Sequence, residues 1–239
     1  MIFEGVYGLA LLALGSGAIP PWRPEFNPGL ADLPLIEIPV TERHGTLAVV
    51  LTGDGGWAAG DKGMAEELKR KGIPVVGFIS PSYLQVPRSP TWAGRDLDRL
   101  LGHYLAAWQC DHILVIGYSR GADLVPFMVS RLSSDLRKRI TVVTLIGLSD
   151  VASFQYRPTD LFAAELRFND YPIEPELTKL RGMRLVCVSG ERERGSLCPV
   201  LDSGMVHIAT HPGGHRLTRE AGRGVAALVL AEAAEDQSR

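Results

Sequence analysis

The chain has 239 residues, of which 46% are hydrophobic and 22% charged, and its formal net charge at pH 7 is -2. That is enough apolar side chain for one sizeable core, and the near balance of charge leaves no basic field for nucleic acid. No stretch reaches the ~18 consecutive apolar residues of a membrane-spanning helix.

Residues 1–32 read as an N-terminal leader or extended arm, and residues 33–239 as a single domain. Val6 to Leu14, followed by Gly15-Ser16-Gly17-Ala18, has the apolar and small-residue parts of an export signal, although Met1-Ile2-Phe3-Glu4 puts no Lys or Arg in front of it. The alternative is an apolar arm packed on the domain. Pro20, Pro21, Pro24 and Pro28 then make an extended linker. Residues 35–40 alternate in polarity, and Pro39 suits an edge strand. Apolar runs at 46–51, 73–79, 113–116, 140–146, 185–188 and 205–209 read as buried strands. Helical patterns fall at 61–71, ended by Gly72, at 91–108, introduced by Ser89-Pro90, and at 217–234. Strands alternating with helices define an α/β chain with a mostly parallel sheet and helices on both faces. Lys69-Arg70-Lys71 and Arg137-Lys138-Arg139 sit at helix ends, as solvated charge opposite the dipole. Residues 150–175, with three prolines and scattered aromatics, read as an irregular cap.

The chemistry concentrates at Gly117-Tyr118-Ser119-Arg120-Gly121, which leaves the apolar run 113–116 and enters the helical pattern from Ala122 to Met128. A G-x-S-x-G between strand and helix is the setting of a nucleophile elbow, in which glycines permit a tight turn that lifts the serine hydroxyl clear of the sheet. The fold this predicts is the α/β-hydrolase fold, whose chain order is serine, acid, histidine. The turn Leu51-Thr52-Gly53-Asp54-Gly55-Gly56-Trp57 leaves a buried strand and offers amides at Asp54 and Gly55 that, with the amide of Arg120, would form an oxyanion hole.

Six histidines compete for the base. His44 comes too early in the chain, His103 falls within a helix, His112 begins a strand, and His207 would point from a strand into packing. His215, in the loop His211-Pro212-Gly213-Gly214-His215 after the last strand, is the position such folds use, with His211 its rival. The acid belongs at the end of the preceding core strand. There Glu193 and Glu191 compete, and Glu193 is preferred because it stands three residues beyond Gly190. Trp57, Tyr83 and Asp123 are candidate substrate contacts, and Asp54, Asp61 and Asp123 are acids placed near the serine. Asp123 would alternatively complement the N-terminus of the elbow helix.

Taken together, Thr52-Gly53-Asp54-Gly55-Gly56-Trp57-Ala58, Gly117-Tyr118-Ser119-Arg120-Gly121-Ala122-Asp123 with Pro126, Gly190-Glu191 followed by Ser196-Leu197-Cys198-Pro199, and Gly213-Gly214-His215 resemble the VirJ family of bacterial virulence proteins, including the related C-terminal domain of AcvB. The resemblance runs from about residue 34 to residue 236. It implies an α/β-hydrolase fold, a periplasmic location and, in some members, association with type IV secretion. In the AcvB-like branch it implies hydrolysis of lysyl-phosphatidylglycerol. Carried over to this chain, Ser119 is the nucleophile and His215 the base. The chain departs from the family pattern twice. Gly195 stands where members often carry an aspartate before S-L-C-P, which moves the acid role toward Glu193 or Glu191. Arg120 stands where an aromatic or aliphatic residue often follows the serine, and a cation there would disfavour a lysyl group unless nearby acids outweigh it.

Cys187 and Cys198 flank the acid loop, so a bond between them would staple it and fit an oxidising compartment; Cys110 would stay single. The alternative is three reduced, buried thiols. No Cys/His spacing resembles a zinc site and no G-x-G-x-x-G occurs, so neither a metal nor another cofactor is expected. The sequence thus predicts a serine esterase acting on a small acyl or aminoacyl-lipid substrate, with a membrane surface and secretion-system proteins as its partners and no nucleic acid. The competing expectation is a binding or scaffold protein that keeps the fold without the chemistry.

Overall fold

The computed structural model describes residues 29–41, 45–156 and 170–236. Nearly all of the expected leader, the proline linker, His44 and the middle of the 150–175 segment lie outside the described residues. Backbone contacts divide the chain into Met1–Leu30 and Ala31–Arg239, and the second unit is described here.

Among the described residues seven strands form its main sheet: β1 (Leu35–Ile38), β2 (Thr46–Leu51), β3 (Val75–Phe78), β4 (His112–Tyr118), β5 (Ile140–Ile146), β8 (Leu185–Gly190) and β9 (His207–His211), in the spatial order β1-β3-β2-β4-β5-β8-β9. Of these, β1 alone runs antiparallel, as an edge strand beside β3. The register sets Val76, Val49, Val115, Val143 and Leu185 side by side across five strands. Their β-branched or apolar side chains suit a pleated surface covered on both sides.

One face of the sheet packs Ala48, Val50, Leu114, Ile116, Val186 and Val188 against α1 (Ala59–Arg70) and α7 (Arg219–Asp236). The alternate residues Leu47, Val49 and Leu51 are equally buried, because α3 (Pro90–Trp108) and α4 (Arg120–Val129) cover the other face. Local signals set the helix starts. The Ser89 side chain accepts a hydrogen bond from the Trp92 amide at 3.2 Å, and Pro90 fills the first position of α3, where no amide is needed. At α1 the Asp61 carboxylate accepts from the Ala58 amide at 3.0 Å.

The remaining elements are short: α2 (Ser80–Tyr83), α5 (Ser134–Arg139), the paired β6 (Val151–Ala152) and β7 (Tyr171–Pro172), α6 (Glu174–Thr178) and a 3-10 turn at Cys198–Val200. Strand order decides where chemistry can occur. β2, β4, β8 and β9 are parallel, so the turns leaving their C-terminal ends emerge along one edge of the sheet, where open α/β folds bind ligands.

Candidate active site

The turn from β4 into α4 holds Ser119 at φ 52°, ψ -121°. Among the described residues only Gln109 is the other non-glycine with positive φ. Such a conformation costs on the order of 1–3 kcal/mol and persists only where neighbours enforce it. Here the Ser119 amide donates to the Ile146 carbonyl of β5 at 2.7 Å, and the Ser119 carbonyl accepts from the Asp123 amide at 3.1 Å. The flanking glycine is required by close approach, since a Cβ on Gly121 would stand 2.2 Å from the Leu51 carbonyl oxygen.

Three side chains meet at this elbow. Ser119 Oγ lies 2.8 Å from His215 Nε2, and His215 Nδ1 lies 2.5 Å from Glu193 Oε1. With the imidazole proton on Nδ1, donated to the carboxylate, Nε2 presents its lone pair to the serine hydroxyl. The second carboxylate oxygen, Oε2, accepts from the Gly190 amide at 2.8 Å. Glu193 is enclosed, its side chain 4% exposed, whereas the His215 side chain is 51% exposed and open to a reactant. Glu191 is exposed at its surface.

The loops that carry these groups are tied together. Backbone bonds run from Glu193 to Gly190 at 2.9 Å, from Arg192 to Gly213 at 2.8 Å and from Glu191 to His211 at 3.0 Å. Cys187 on β8 and Cys198 in the 3-10 turn are joined as a disulfide, their Cα atoms 5.3 Å apart, which closes the segment bearing Glu193; Cys110 is buried and outside this disulfide, its thiol donating to the Trp108 carbonyl at 3.5 Å. Tyr118, the residue before Ser119, holds the histidine loop: its hydroxyl donates to the His215 carbonyl at 3.0 Å and accepts from the Leu217 amide at 3.1 Å. Its ring also stacks on the imidazole with centroids 5.8 Å apart.

The glycine-rich turn after β2 abuts the elbow. Thr52 anchors it, its amide donating to the Phe78 carbonyl at 3.0 Å and its hydroxyl accepting from the Ser80 amide at 3.1 Å. The Gly56 amide closes the turn on the Gly53 carbonyl at 3.0 Å, and a Cβ on Gly53 would sit 3.0 Å from Ser119 Cβ. Asp54, in this turn, and Arg120, the first residue of α4, form an ion pair, Nε facing Oδ1 and Nη2 facing Oδ2, the latter at 3.0 Å.

Several expected roles are corrected. Tyr83 is buried rather than facing a substrate: its hydroxyl donates to Asp96 at 2.6 Å, and Arg88 lies over its ring at 4.6 Å. Trp57 packs on the sheet, where a Cβ on Gly77 would meet its ring at 2.6 Å. Asp123 is buried and accepts from the Ser149 amide at 2.9 Å, and burial pushes its carboxyl up to about 7. Asp61 is likewise interior, pushed up to about 6 by burial. His207 does not point into packing: β9 is the last strand of the sheet, and the His207 ring is half exposed and faces Glu232 at 2.6 Å. His211 is buried beside the Pro212 carbonyl at 3.0 Å.

Two contributors have no motif of their own. One is the Tyr118 hydroxyl. The other is Gly147, at φ +64°, where a Cβ would stand 2.9 Å from His215 Cε1 and 3.2 Å from Glu193 Oε1. Among the described residues no group of three or more His, Cys, Asp or Glu side chains is arranged to hold a metal, and no helix is long and apolar enough to cross a membrane.

A mostly parallel sheet covered by helices on both faces, with a strained serine between strand and helix, defines an α/β-hydrolase fold. Residues 45–236 match the family described as bacterial virulence protein (VirJ), and the chain belongs to that family. No curated protein matches it in sequence. Solved structures share the fold at low identity. Est1E from Butyrivibrio proteoclasticus, solved with ferulic acid bound, is similar with a TM-score of 0.61 and 11% identity, over 87% of this chain and 96% of that one. A membrane phospholipase A described as a novel bacterial virulence factor is similar with a TM-score of 0.57 and 16% identity, over 88% of this chain and 89% of that one. The thioesterase domain from the curacin biosynthetic pathway is similar with a TM-score of 0.55 and 14% identity, over 82% of this chain and 94% of that one.

Proposed function

We propose that the protein is a serine hydrolase of carboxylic esters in which Ser119, His215 and Glu193 act as a triad. The observation that carries this reading is the unbroken hydrogen-bonded chain from Ser119 Oγ through the imidazole to a buried carboxylate. In the first half-reaction His215 Nε2 takes the hydroxyl proton as Ser119 Oγ bonds to the carbonyl carbon. Negative charge gathers on the carbonyl oxygen, toward which the amides at Asp54 or Gly55 and at Arg120 would donate. The imidazolium, stabilised by Glu193, then gives its proton to the departing alcohol as the carbon–oxygen bond breaks and an acyl-serine remains. Water reverses the sequence and releases the acid.

The substrate proposed is an aminoacyl ester of phosphatidylglycerol such as lysyl-phosphatidylglycerol, hydrolysed in the periplasm at a membrane surface by a protein linked to secretion. Family membership supports this assignment, and the fold is shared with proteins named as a phospholipase A and a thioesterase domain. The Cys187–Cys198 disulfide is in keeping with an oxidising compartment. The cation at Arg120 is paired with Asp54, which lowers the repulsion that a lysyl group would otherwise meet beside the nucleophile.

The test is labelling by a fluorophosphonate probe, followed by assay of lysine release from lysyl-phosphatidylglycerol vesicles. Wild type should label at Ser119 and release lysine, and Ser119→Ala should do neither. A folded wild type that does not label would reject the hydrolase and favour a binding or scaffold role. Labelling and cleavage of simple esters without lysine release would reject this substrate and keep the chemistry.

A further inference from the structure

We infer that the Arg120–Asp54 side-chain pair is a positioning device that sets the oxyanion pocket, an inference that rests on the serine hydrolase reading. The two residues stand 66 positions apart on different elements, Asp54 in the turn after β2 and Arg120 at the start of α4. In the serine hydrolase reading their main-chain amides are the ones that would hold an ester carbonyl oxygen, and their own side chains are joined by a two-point contact, Nε to Oδ1 and Nη2 to Oδ2. The pocket is therefore clasped by the residues that form it.

The turn needs such a clasp. Asp54 lies between Gly53 and the pair Gly55-Gly56, and glycine leaves the backbone a wide choice of conformations. One internal bond, Gly56 to Gly53, closes the turn but leaves the direction of the Asp54 amide to its surroundings. The ion pair supplies that direction. A planar guanidinium meeting a carboxylate through two parallel bonds fixes orientation as well as distance. The Arg120 side chain is 11% exposed and the Asp54 side chain 33%, so solvent competes less than it would for a surface pair.

Charge makes the idea distinguishable from simple packing. Arg120 pairs with Asp54, and its charge also acts to lower the carboxyl of the buried Asp123, which Asp54 acts to raise. Removing the arginine frees a carboxylate next to the oxygen that becomes negative in the transition state. Removing the aspartate charge instead leaves a cation there. Both changes loosen the turn, but their charge effects have opposite sign.

The experiment compares Asp54→Asn, Arg120→Gln and the double variant on p-nitrophenyl acetate, a neutral ester, with thermal unfolding as the check on folding. Because loss of one oxyanion donor costs ~10²–10³-fold in kcat, misaiming one should cost about 10-fold in Asp54→Asn and about 100-fold in Arg120→Gln. The double variant should fall between the two singles, faster than Arg120→Gln alone, with KM nearly constant throughout. Affinity for a trifluoromethyl ketone, which forms a tetrahedral oxyanion on the serine, should fall in parallel with kcat. Variants within about 2-fold of wild type, a change confined to KM, or a double variant slower than both singles would each overturn the inference. A wild type that does not react with fluorophosphonate would overturn the parent reading instead, and that is known before any variant is made.

Discussion

Gly147→Ala probes the site from a position with no chemistry of its own. Gly147 follows β5 at φ +64°, and its amide donates to the Val188 carbonyl at 2.8 Å, so the backbone cannot easily rotate away. Alanine adds about 1–2 kcal/mol for the left-handed conformation. Its methyl would also stand 2.9 Å from His215 Cε1, 3.0 Å from Nδ1 and 3.2 Å from Glu193 Oε1. Carbon contacts are comfortable at ~3.5–4.0 Å, so the imidazole must move by roughly 0.5–1 Å. A misplacement of that size costs on the order of 100-fold in rate, about 2.7 kcal/mol of barrier. Gly182→Ala is the control, because Gly182 has φ +90° and nothing within 4 Å of an added Cβ. Both variants should lose similar stability in thermal unfolding, and only Gly147→Ala should lose kcat on p-nitrophenyl acetate. If Gly147→Ala keeps the wild-type rate, or if Gly182→Ala is as slow as Gly147→Ala, displacement of the imidazole does not govern the rate and the reasoning is refuted.

Glu193→Gln should lower kcat by about 10²–10⁴-fold with little change in melting temperature, since the amide cannot stabilise an imidazolium, whereas Glu191→Gln should stay within a few-fold because that side chain is exposed. Separating Cys187 from Cys198 by double alanine substitution should lower stability by about 2.5–3 kcal/mol for a separation of 11 residues, read by denaturant unfolding, and should slow turnover by loosening the Glu193 loop. Asp61 has a folded pKa raised from 3.8 to about 6, so its ionisation opposes folding: wild-type stability falls as pH rises from about 4 through 6 and stays reduced above. Asp61→Asn, which keeps an oxygen to accept from the Ala58 amide, should therefore gain on the order of 1–3 kcal/mol over wild type at pH 8 and nothing at pH 3, measured by melting curves across that range.

The parts of this molecule that could be read from its sequence are those whose signal is local. Residues 46–51 and 140–146 announce strands because both faces of a central parallel strand are apolar, and the strand–turn–helix order around Ser119 announces the elbow. Chain order then points to a histidine after the last strand. The offset from Gly190 favours Glu193 over Glu191, and the structure puts Glu193 against His215. What stayed hidden depends on neighbours set by topology. Gly147 matters because β5 lies beside β8, and Tyr118 because its hydroxyl reaches a loop 97 residues later. Tyr83 was misread as a contact for substrate because an aromatic near a loop does not reveal that Asp96, one helix later, will take its hydroxyl inside. His207 was misplaced because alternation along a strand gives no warning that the strand is the last of its sheet. α5 shows in the sequence only through its basic end, Arg137-Lys138-Arg139, because six mostly polar residues are too short to show a helical period.

The site divides into two halves with separate supports. One half is a set of loops after β8 and β9, drawn together by the disulfide, by backbone bonds between the Glu193 and His215 loops and by the Tyr118 hydroxyl. The other half is the turn after β2 and the first residue of α4, joined by Arg120 and Asp54. Ser119 belongs to both, and its strained backbone is held from a third direction by β5 through the Ile146 carbonyl. The halves meet at the hydroxyl, and each half is fastened close to the atoms it places. This arrangement lets flexible, glycine-rich loops deliver fixed geometry, because the rigidity comes from cross-links between loops rather than from the loops themselves.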